Sequence, residues 1–335
     1  MTVVLPSPFT TDLQHWPFDL PFPAPPAPAD HPHHLSVFGH TGRWLRETGV
    51  LATDADVSVY QVHDVPAWAV LCYPEAPLEA LRLISDFISL AAQWDHLLST
   101  PPHRGRGVEM FEPMLAVLDG GPPGAGQGPY APYVRAWSDV WARWQRGMPS
   151  VWRERTAGNW RRALEALVVE DTAEREGRVM TIEEKTTVRD ETGLQPLTLD
   201  LLERGGGYIL PSSVLATPEM RALERHTGRE VWLTNEVQSL PKEEAAGESN
   251  LVLLLEREKG LDREQALGLV HRMVREHTDA FLAAEAAVPH ALDTLGMAPE
   301  DRSAVYRHIA GMRALMAGTV AWCGHSGRYS GPAAS

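Results

Sequence analysis

The chain has 335 residues, of which 44% are hydrophobic, and a formal net charge of −14. The length suits one large globular domain or two small ones, and the negative charge argues against a nucleic-acid or anionic-membrane partner. No apolar run reaches the roughly 18 residues of a membrane span, and the two cysteines form no zinc or disulfide pattern. We therefore expect a cytoplasmic protein without a membrane span.

Residues 1–34 are rich in proline and end in PFDLPFPAPPAPADHPHH. Proline at this density excludes a helix and favours an extended chain. A disordered tail is one interpretation, but the apolar side chains of Trp16, Phe18 and Phe22 indicate that part of the segment packs on the protein surface. We expect a strap or tail over residues 1–34 and one folded domain over 35–332.

The next elements read as helices. The stretch GRWLRETGVL predicts a helix that Gly49 ends, and residues 51–77 are assigned as helical or helix-flanking although VSVYQV has strand propensity. Residues 78–98 are apolar on nearly every side, which predicts a helix buried in the middle of a bundle. The glycines and prolines of residues 119–129 predict a flexible break. After it, three tryptophans at helical spacing are best explained by core packing.

The second half of the chain continues this pattern. Thr181 and Glu184 form a capping-box sequence, and Thr217 before Pro218 is a typical helix start. The glycines at 205–207 should weaken any helix there. There is no sustained strand alternation, no nucleotide-binding glycine motif and no internal repeat. The sequence predicts an all-α, single-domain protein of about ten or more helices.

One predicted helix carries three oxygen-bearing side chains at every fourth position. Asn235, Ser239 and Glu243 lie within VWLTNEVQSLPKEEAAGESNLV, and a turn of roughly 100° per residue places them on one face. Carboxamide, hydroxyl and carboxylate oxygens are hard ligands that suit Mg²⁺. With the cationic Lys242 beside them, they form a ledge on which a metal ion and a diphosphate would both bind.

At this ledge the chain resembles the bacterial class I terpene synthases. Their second metal motif, N-D-x-x-S-x-x-x-E, matches Asn235 to Glu243, and the flanking segments LDLLERGGGYILP and KEEAAGESNLV also resemble the family. VRDETG resembles the R-x-x-T-G element that senses diphosphate, and its Arg189 precedes Asn235 by the 46 residues expected in this family. Arg328-Tyr329 resembles the terminal R-Y pair. Several elements in the correct order, over residues 30–332, make the resemblance specific.

The resemblance implies a single-domain class I terpenoid synthase α-bundle with a central active-site cavity, and it assigns roles to residues. Asn235, Ser239 and Glu243 would hold one of up to three Mg²⁺ ions. Arg189, Lys242, Arg328 and Tyr329 would bind the diphosphate. Thr192 would link the sensor Arg189 to Gly193, whose carbonyl would face the substrate at a helix break. Trp322 would contribute an aromatic wall for the carbocation.

The first metal motif departs from the family pattern. An aspartate-rich sequence such as D-D-H-F-L-E should end the helix at 78–98, but the chain has Trp94-Asp95-His96-Leu97-Leu98-Ser99. Aligned on the D-H pair, only Asp95 remains as a metal ligand, and Trp94 becomes a bulky residue at the cavity rim. His96 is a poor Mg²⁺ ligand because imidazole prefers softer metals. The second motif also varies, with Glu236 in place of aspartate.

Several functions remain open at this point. The favoured one is a terpene synthase, a lyase that ionises an isoprenyl diphosphate and cyclises the carbocation to a hydrocarbon or alcohol. Farnesyl diphosphate is the default substrate and geranylgeranyl diphosphate the next. The alternatives are a related catalyst that needs fewer metals and a weak or inactive protein that binds isoprenyl diphosphate. A chain-elongating prenyltransferase is disfavoured because its second motif would be rich in aspartate. Family members are monomers or homodimers, and the sequence does not choose between them.

Overall fold

A computed structural model describes residues 18–122, 126 and 128–329. These residues form fourteen α-helices and no strand, which confirms the all-α prediction. The helices are α1 (His34–Thr48), α2 (Asp54–His63), α3 (Val65–Cys72), α4 (Leu78–Leu98), α5 (Val108–Leu118), α6 (Ala131–Gln145), α7 (Ser150–Arg175), α8 (Ile182–Thr192), α9 (Gln195–Gly206), α10 (Ser212–Leu215), α11 (Pro218–Ala246), α12 (Leu251–Lys259), α13 (Arg263–Thr294) and α14 (Arg302–His325). None of these helices is long and apolar enough to cross a membrane.

The predicted helix boundaries are confirmed where capping residues mark them. Gly49 ends α1 in a left-handed conformation, with φ of 83°. Thr181 and Glu184 form the capping box at the start of α8, and the hydroxyl of Thr217 accepts a hydrogen bond from the Met220 amide at the start of α11. Local side-chain bonds of this kind satisfy amides that have no partner within the helix.

The ambiguous residues 51–77 are helical, in two pieces. A capping box between Thr53 and Asp56 starts α2, and α3 follows immediately. Asp64 separates the two helices. It has φ of 40° and ψ of 51°, a left-handed conformation that turns the chain sharply. The strand propensity of VSVYQV is overridden because the cap and the tertiary packing both favour helix.

One prediction about helix continuity needs revision: the helix that Thr217 starts and the helix of the oxygen ledge are one element, α11, with Pro241 inside it. The three glycines lie at the end of α9, which runs through Gly205 and Gly206 and ends at Gly207, with φ of 66°.

Aromatic packing between α4, α6 and α7 forms a central part of the core. Phe87 of α4 meets Trp144 and Trp160 edge to face, at ring-centroid distances of 5.1 and 5.3 Å, and Trp137 meets Trp160 at 5.4 Å. All four side chains are fully buried. The assignment of the tryptophan stripe on α6 to core packing is therefore confirmed, as is the burial of α4.

The described end of the proline-rich segment packs on α13. Phe18 stacks on His271 at 4.4 Å, and Phe22 meets Phe281 edge to face at 5.8 Å. Residues 1–17, including Trp16, lie outside the described residues, as do 123–125 and 127 of the predicted break. The division into a strap over 1–34 and a domain over 35–332 stays a prediction.

The buried Glu230 of α11 gives a prediction for stability. Its side chain is fully buried and accepts a hydrogen bond from the Thr234 hydroxyl at 3.1 Å. Burial raises the pKa of Glu230 from 4.5 to about 8. Between about pH 5 and 8 this carboxyl group is ionised in the unfolded protein but still protonated in the folded protein. The free energy of unfolding therefore falls as the pH rises through this interval.

We expect Glu230→Gln to remove this loss, which amounts to roughly 3 kcal/mol over that interval. Urea unfolding of both proteins at pH 5, 6.5 and 8 measures it. Glu219→Gln, a partly exposed position in the first turn of the same helix, is the control and should keep the pH dependence of the wild type. Parallel curves for the wild type and Glu230→Gln would contradict the prediction.

Candidate active site

A cavity of about 380 Å³ brings together most of the side chains that the sequence singled out. Its lining includes Trp94, Asp95, Arg189, Asn235, Ser239, Glu243 and Arg328. A larger cavity of about 730 Å³ lies between α7, α9 and α11, with a mixed lining of acidic and basic side chains. That second cavity contains none of the predicted site residues, so we place the active site in the first one.

The ledge on α11 has the geometry that its spacing predicts. Asn235, Ser239 and Glu243 all line the cavity. The hydroxyl oxygen of Ser239 is buried and has no hydrogen-bond partner among the described residues. Glu243 accepts a hydrogen bond from the Asn250 amide group at 2.8 Å, and burial together with the nearby Glu236 raises its pKa to about 7.

This donor set fits a hard divalent cation. A buried hydroxyl oxygen without a partner and a carboxylate whose charge is disfavoured by burial are both stabilised when a cation binds between them. The described residues contain no group of three or more histidine, cysteine, aspartate or glutamate side chains that could enclose a metal. Oxygens of water or of a bound anion would therefore have to complete the coordination, as is usual for Mg²⁺.

Arg189 reaches the ledge from the last turn of α8. Its Nη2 donates to Asn235 Oδ1 at 3.0 Å, and its Nε lies 2.9 Å from Glu236 Oε1. The other carboxylate oxygen of Glu236 accepts from the Leu251 amide at 2.7 Å, at the start of α12. Glu236, which the sequence marked only as a departure from the motif, thus joins three helices and orients the arginine.

A helix break follows Arg189 directly. α8 ends at Thr192, Gly193 donates its amide to Arg189 O at 3.0 Å, and Leu194 has φ of 60° before α9 begins. The break is where the resemblance implies it. The Thr192 hydroxyl is buried and makes no hydrogen bond within the described residues, so its role as a link between Arg189 and Gly193 stays a prediction.

Asp95 lies at the cavity mouth between two cations. Lys242 Nζ donates to its Oδ2 at 3.1 Å and Arg328 Nη2 donates to the same oxygen at 2.6 Å. Desolvation opposes ionisation of Asp95, but Lys242 and Arg328 outweigh it and hold its pKa well below the ordinary value. About half of the Asp95 side chain is solvent-accessible, so screening by water weakens these ion pairs. The carboxylate oxygen therefore occupies a place that suits an oxygen of a bound anion.

The C-terminal residues contact the ledge, and Arg328 among them lines the cavity. Tyr329 accepts a hydrogen bond from the Asn235 amide group at 2.8 Å, and its ring meets Trp322 edge to face at 5.5 Å. Trp94 is buried against Phe111 at 5.8 Å and lines the cavity. His96 lies beside His63, and burial with the neighbouring cations lowers its pKa. A neutral imidazole in this position adds no charge to the site.

Sequence reasoning missed Lys185 and Glu170. Lys185 is buried one turn before Arg189 and lines the cavity, with its ammonium 3.1 Å from Glu170 Oε1 and 3.1 Å from Ser249 O. Burial alone would lower the pKa of Lys185, but Glu170 reverses the effect and raises it. The four-residue spacing from Arg189 was the available signal, because it places both cations on one face of α8.

Known proteins match this chain over the region that builds the cavity. The family model "Terpene synthase family 2, C-terminal metal binding" matches residues 86–280, which include Asp95, Arg189 and the ledge. Pristinol synthase of Streptomyces pristinaespiralis is 33% identical over 316 residues, or 92% of this chain and 83% of that protein. A (−)-β-caryophyllene synthase of Saccharothrix espanaensis that cyclises (2E,6E)-farnesyl diphosphate is 31% identical over 93% of this chain and 88% of its own.

Solved structures of terpene synthases also superpose on this chain over nearly its whole length. A cucumene synthase variant superposes with a TM-score of 0.79 at 30% identity, covering 93% of this chain and 99% of that one. The structure of α-eudesmol synthase superposes with a TM-score of 0.81 at 24% identity, covering 92% and 98% of the two chains, and shares the fold.

The pairing of Asp95 with two cations predicts an unusual effect on anion binding. In Asp95→Asn the amide no longer competes for Lys242 and Arg328, so inorganic diphosphate should bind the metal-free protein about tenfold more tightly, or about 1.4 kcal/mol. Isothermal titration calorimetry in the presence of EDTA measures this affinity.

Glu174→Gln is the matched control, since it removes one negative charge from the same cavity lining but does not contact Lys242 or Arg328. An equal gain in both variants would show a general charge effect, and no gain in Asp95→Asn would show that the carboxylate does not compete with the anion.

Proposed function

Because this chain belongs to the bacterial terpene synthase family, we propose that it is a magnesium-dependent cyclase that ionises farnesyl diphosphate and closes the carbocation into a terpene hydrocarbon or alcohol. The family membership confirms the resemblance seen in the sequence and makes the protein an enzyme of the lyase class. One observation carries the proposal: Arg189 and Arg328 line a single cavity together with the α11 ledge, and Lys242 binds Asp95, which lines the same cavity.

Two relatives support farnesyl diphosphate as the substrate. The caryophyllene synthase and a 7-epi-α-eudesmol synthase of Streptomyces viridochromogenes, 27% identical over 93% of this chain, are both named as cyclising it. Both match 93% of this chain. Geranylgeranyl diphosphate is the next candidate.

The first step we propose is binding of the diphosphate by the basic side chains. Lys242 and Arg328 would turn from Asp95 to the diphosphate oxygens, and Arg189 would donate from the opposite side with Tyr329 adding a hydroxyl. As the allylic carbon–oxygen bond breaks, negative charge grows on the leaving diphosphate. The hydrogen bonds from these donors then become stronger, so they stabilise the transition state more than the bound substrate. The orientation of Arg189 depends on Glu236, which holds its Nε.

Asn235, Ser239 and Glu243 would hold the metal, with Asp95 contributing from α4. When bound, Mg²⁺ would neutralise charge on the leaving diphosphate as a Lewis acid. The family description as metal-binding supports a metal, and the hard oxygen ligands support magnesium. With Asp95 the one acidic side chain in the first-motif region, we propose that the α11 ledge supplies most of the protein ligands.

The carbocation would be contained by the apolar part of the cavity. The rings of Trp94 and Phe111 line it and exclude water, and contact of a cation with an aromatic face is worth about 0.5–2 kcal/mol. The ring of Trp322 packs on Tyr329 beside the cavity. The carbonyl groups at the C-terminal end of α8, next to Gly193, carry partial negative charge because the helix ends there. They would favour a cation placed at the helix break.

The second candidate function is diphosphate binding without turnover. It is favoured by one observation, namely that the single carboxylate of the first-motif region is already paired with Lys242 and Arg328.

Incubation of the purified protein with Mg²⁺ and geranyl, farnesyl or geranylgeranyl diphosphate separates the two functions. Gas chromatography detects the products and a coupled assay detects released diphosphate. We expect a cyclic product from farnesyl diphosphate. Tight binding of diphosphate with no product from any of the three substrates would favour the binding protein, and neither binding nor product would exclude both.

Arg189→Ala should lower turnover of farnesyl diphosphate by about 10²–10³-fold, since one fixed donor to the leaving group is lost. Arg189→Lys, which keeps the charge and the partner of Glu236, should lose less. Steady-state diphosphate release measures both, with thermal melting to check folding. The control is Arg106→Ala, an exposed arginine outside the cavity lining. Normal turnover in Arg189→Ala would remove this residue from the mechanism.

Ser239→Ala should weaken Mg²⁺-dependent binding of inorganic diphosphate by about tenfold through the loss of one metal ligand, or about 1.4 kcal/mol. Calorimetry with and without Mg²⁺ measures the effect, and the affinity in EDTA should stay unchanged. Ser249→Ala is the matched control, because it removes a hydroxyl from the same lining while its carbonyl still binds Lys185. Equal weakening in both variants would argue against a metal at Ser239.

A further inference from the structure

The joint between α2 and α3 lies against the last residues that the structure describes. We call residues 62–64 the joint and residues 322–329 the C-terminal segment. Ser326 Oγ donates to His63 O at 2.6 Å and accepts from the Arg328 amide at 3.1 Å. One hydroxyl therefore bonds both to the joint and to the backbone of a predicted diphosphate ligand.

Two further hydrogen bonds join Asp64 to the same segment. The indole nitrogen of Trp322 donates to Asp64 O at 3.0 Å, and His325 Nε2 lies 3.2 Å from Asp64 Oδ2. A third contact is steric. A β-carbon on Gly327 would lie 2.5 Å from Val62 Cγ1 and 2.9 Å from Val62 O, so only glycine permits this close approach.

The joint itself is held in an uncommon conformation. Asp64 has φ of 40° and ψ of 51°, in the left-handed region that residues other than glycine rarely adopt. Its amide donates to Tyr60 O at 3.2 Å, and both of its carboxylate oxygens lie 3.1 Å from His34 Nε2 of α1. Contacts from α1 and from the C-terminal segment therefore meet on one residue in an uncommon conformation, a combination typical of functional positions.

The joint is also adjacent to the cavity mouth. The ring of His63 meets His96, which follows Asp95 on α4, at a centroid distance of 6.1 Å. On the other side of the joint, Arg328 and Tyr329 follow Gly327 immediately and reach Asp95 and Asn235. At most two residues separate the anchored backbone from these two contacts, which leaves the pair little freedom.

We propose that the joint anchors the C-terminal segment through these hydrogen bonds. Asp64 is then a positioning residue: it fixes Trp322, Arg328 and Tyr329 beside the cavity without touching the substrate. The inference rests on the proposed function for the roles of those three residues. A loop in an ordinary conformation would not present both a carbonyl and a carboxylate to the segment. The strain is thereby explained by the contacts that it makes possible.

Hydrogen–deuterium exchange of the full-length protein tests the anchoring independently of any catalysis. Asp64→Ala and Ser326→Ala should each increase amide exchange in residues 322–329 by about tenfold or more, whereas Asp64→Asn, which tolerates the left-handed conformation and keeps hydrogen-bonding atoms, should change it little. The matched control is Thr53→Ala, which removes the N-terminal cap of the same helix α2 but contacts nothing in the segment.

Steady-state kinetics with farnesyl diphosphate then tests positioning. Asp64→Ala and Ser326→Ala should raise KM about tenfold and shift the products towards acyclic alcohols formed by water, because the aromatic and basic groups are no longer held over the cavity. Asp64→Asn should restore most of the wild-type values, and Thr53→Ala should retain them. Loss of stability alone would affect Thr53→Ala as well and would not change the product ratio.

Unchanged exchange in both Asp64→Ala and Ser326→Ala would overturn the inference, and so would increased exchange with wild-type KM and products. If the wild type itself shows no turnover, the proposed function fails. The affinity for inorganic diphosphate in the presence of Mg²⁺ then replaces KM, and unchanged affinity in both variants would overturn the positioning role.

Discussion

The carboxylate of Asp95 is the contact on which the cavity mouth depends. It accepts hydrogen bonds from Lys242 and Arg328 through one oxygen, so the end of α4, the ledge helix α11 and the C-terminal segment meet at a single atom. Two cations so close to each other repel, and a shared anion is needed to hold them together. In the proposed reaction a diphosphate takes over that role. The Asp95 carboxylate therefore holds Lys242 and Arg328 in place until a diphosphate replaces it as their partner.

A second carboxylate does the same for the inner wall. Glu236 is buried, and it pairs with Arg189 through one oxygen and with the start of α12 through the other. A buried arginine without such a partner would carry a large desolvation penalty. Glutamate reaches one methylene further than aspartate, and the family's aspartate at this position is replaced here by a residue engaged in structure. The proposed metal site therefore rests on Asn235, Ser239 and Glu243 on the neighbouring turns.

The backbone is unusual at the two places where side chains must be aimed at the cavity. Leu194, with φ of 60°, lies at the break between α8 and α9, and Asp64, with φ of 40°, lies at the joint between α2 and α3. They are the two residues other than glycine with positive φ in the described part of the chain. A continuous helix would direct its carbonyls along its own axis, whereas an interrupted one exposes them. Both interruptions lie beside residues proposed to bind or position the substrate.

The sequence by itself determined the all-α fold, the buried α4 and the capped starts of α8 and α11, because these follow from periodicity and from side chains that bond to the backbone a few residues away. It also determined the oxygen ledge, since a four-residue spacing on a helix fixes one face. Only the tertiary structure decided which groups meet across the cavity. The pairing of Asp95 with Arg328 spans 233 positions, and that of His34 with Asp64 spans 30.

No local pattern encodes contacts of this kind, because they depend on how separate helices pack. For the same reason the sequence did not show that the helix started by Thr217 and the ledge helix are one element, α11. The spacing of Lys185 from Arg189 is visible in the sequence, but its contact with Glu170 and the left-handed conformation of Asp64 appear only in the folded protein.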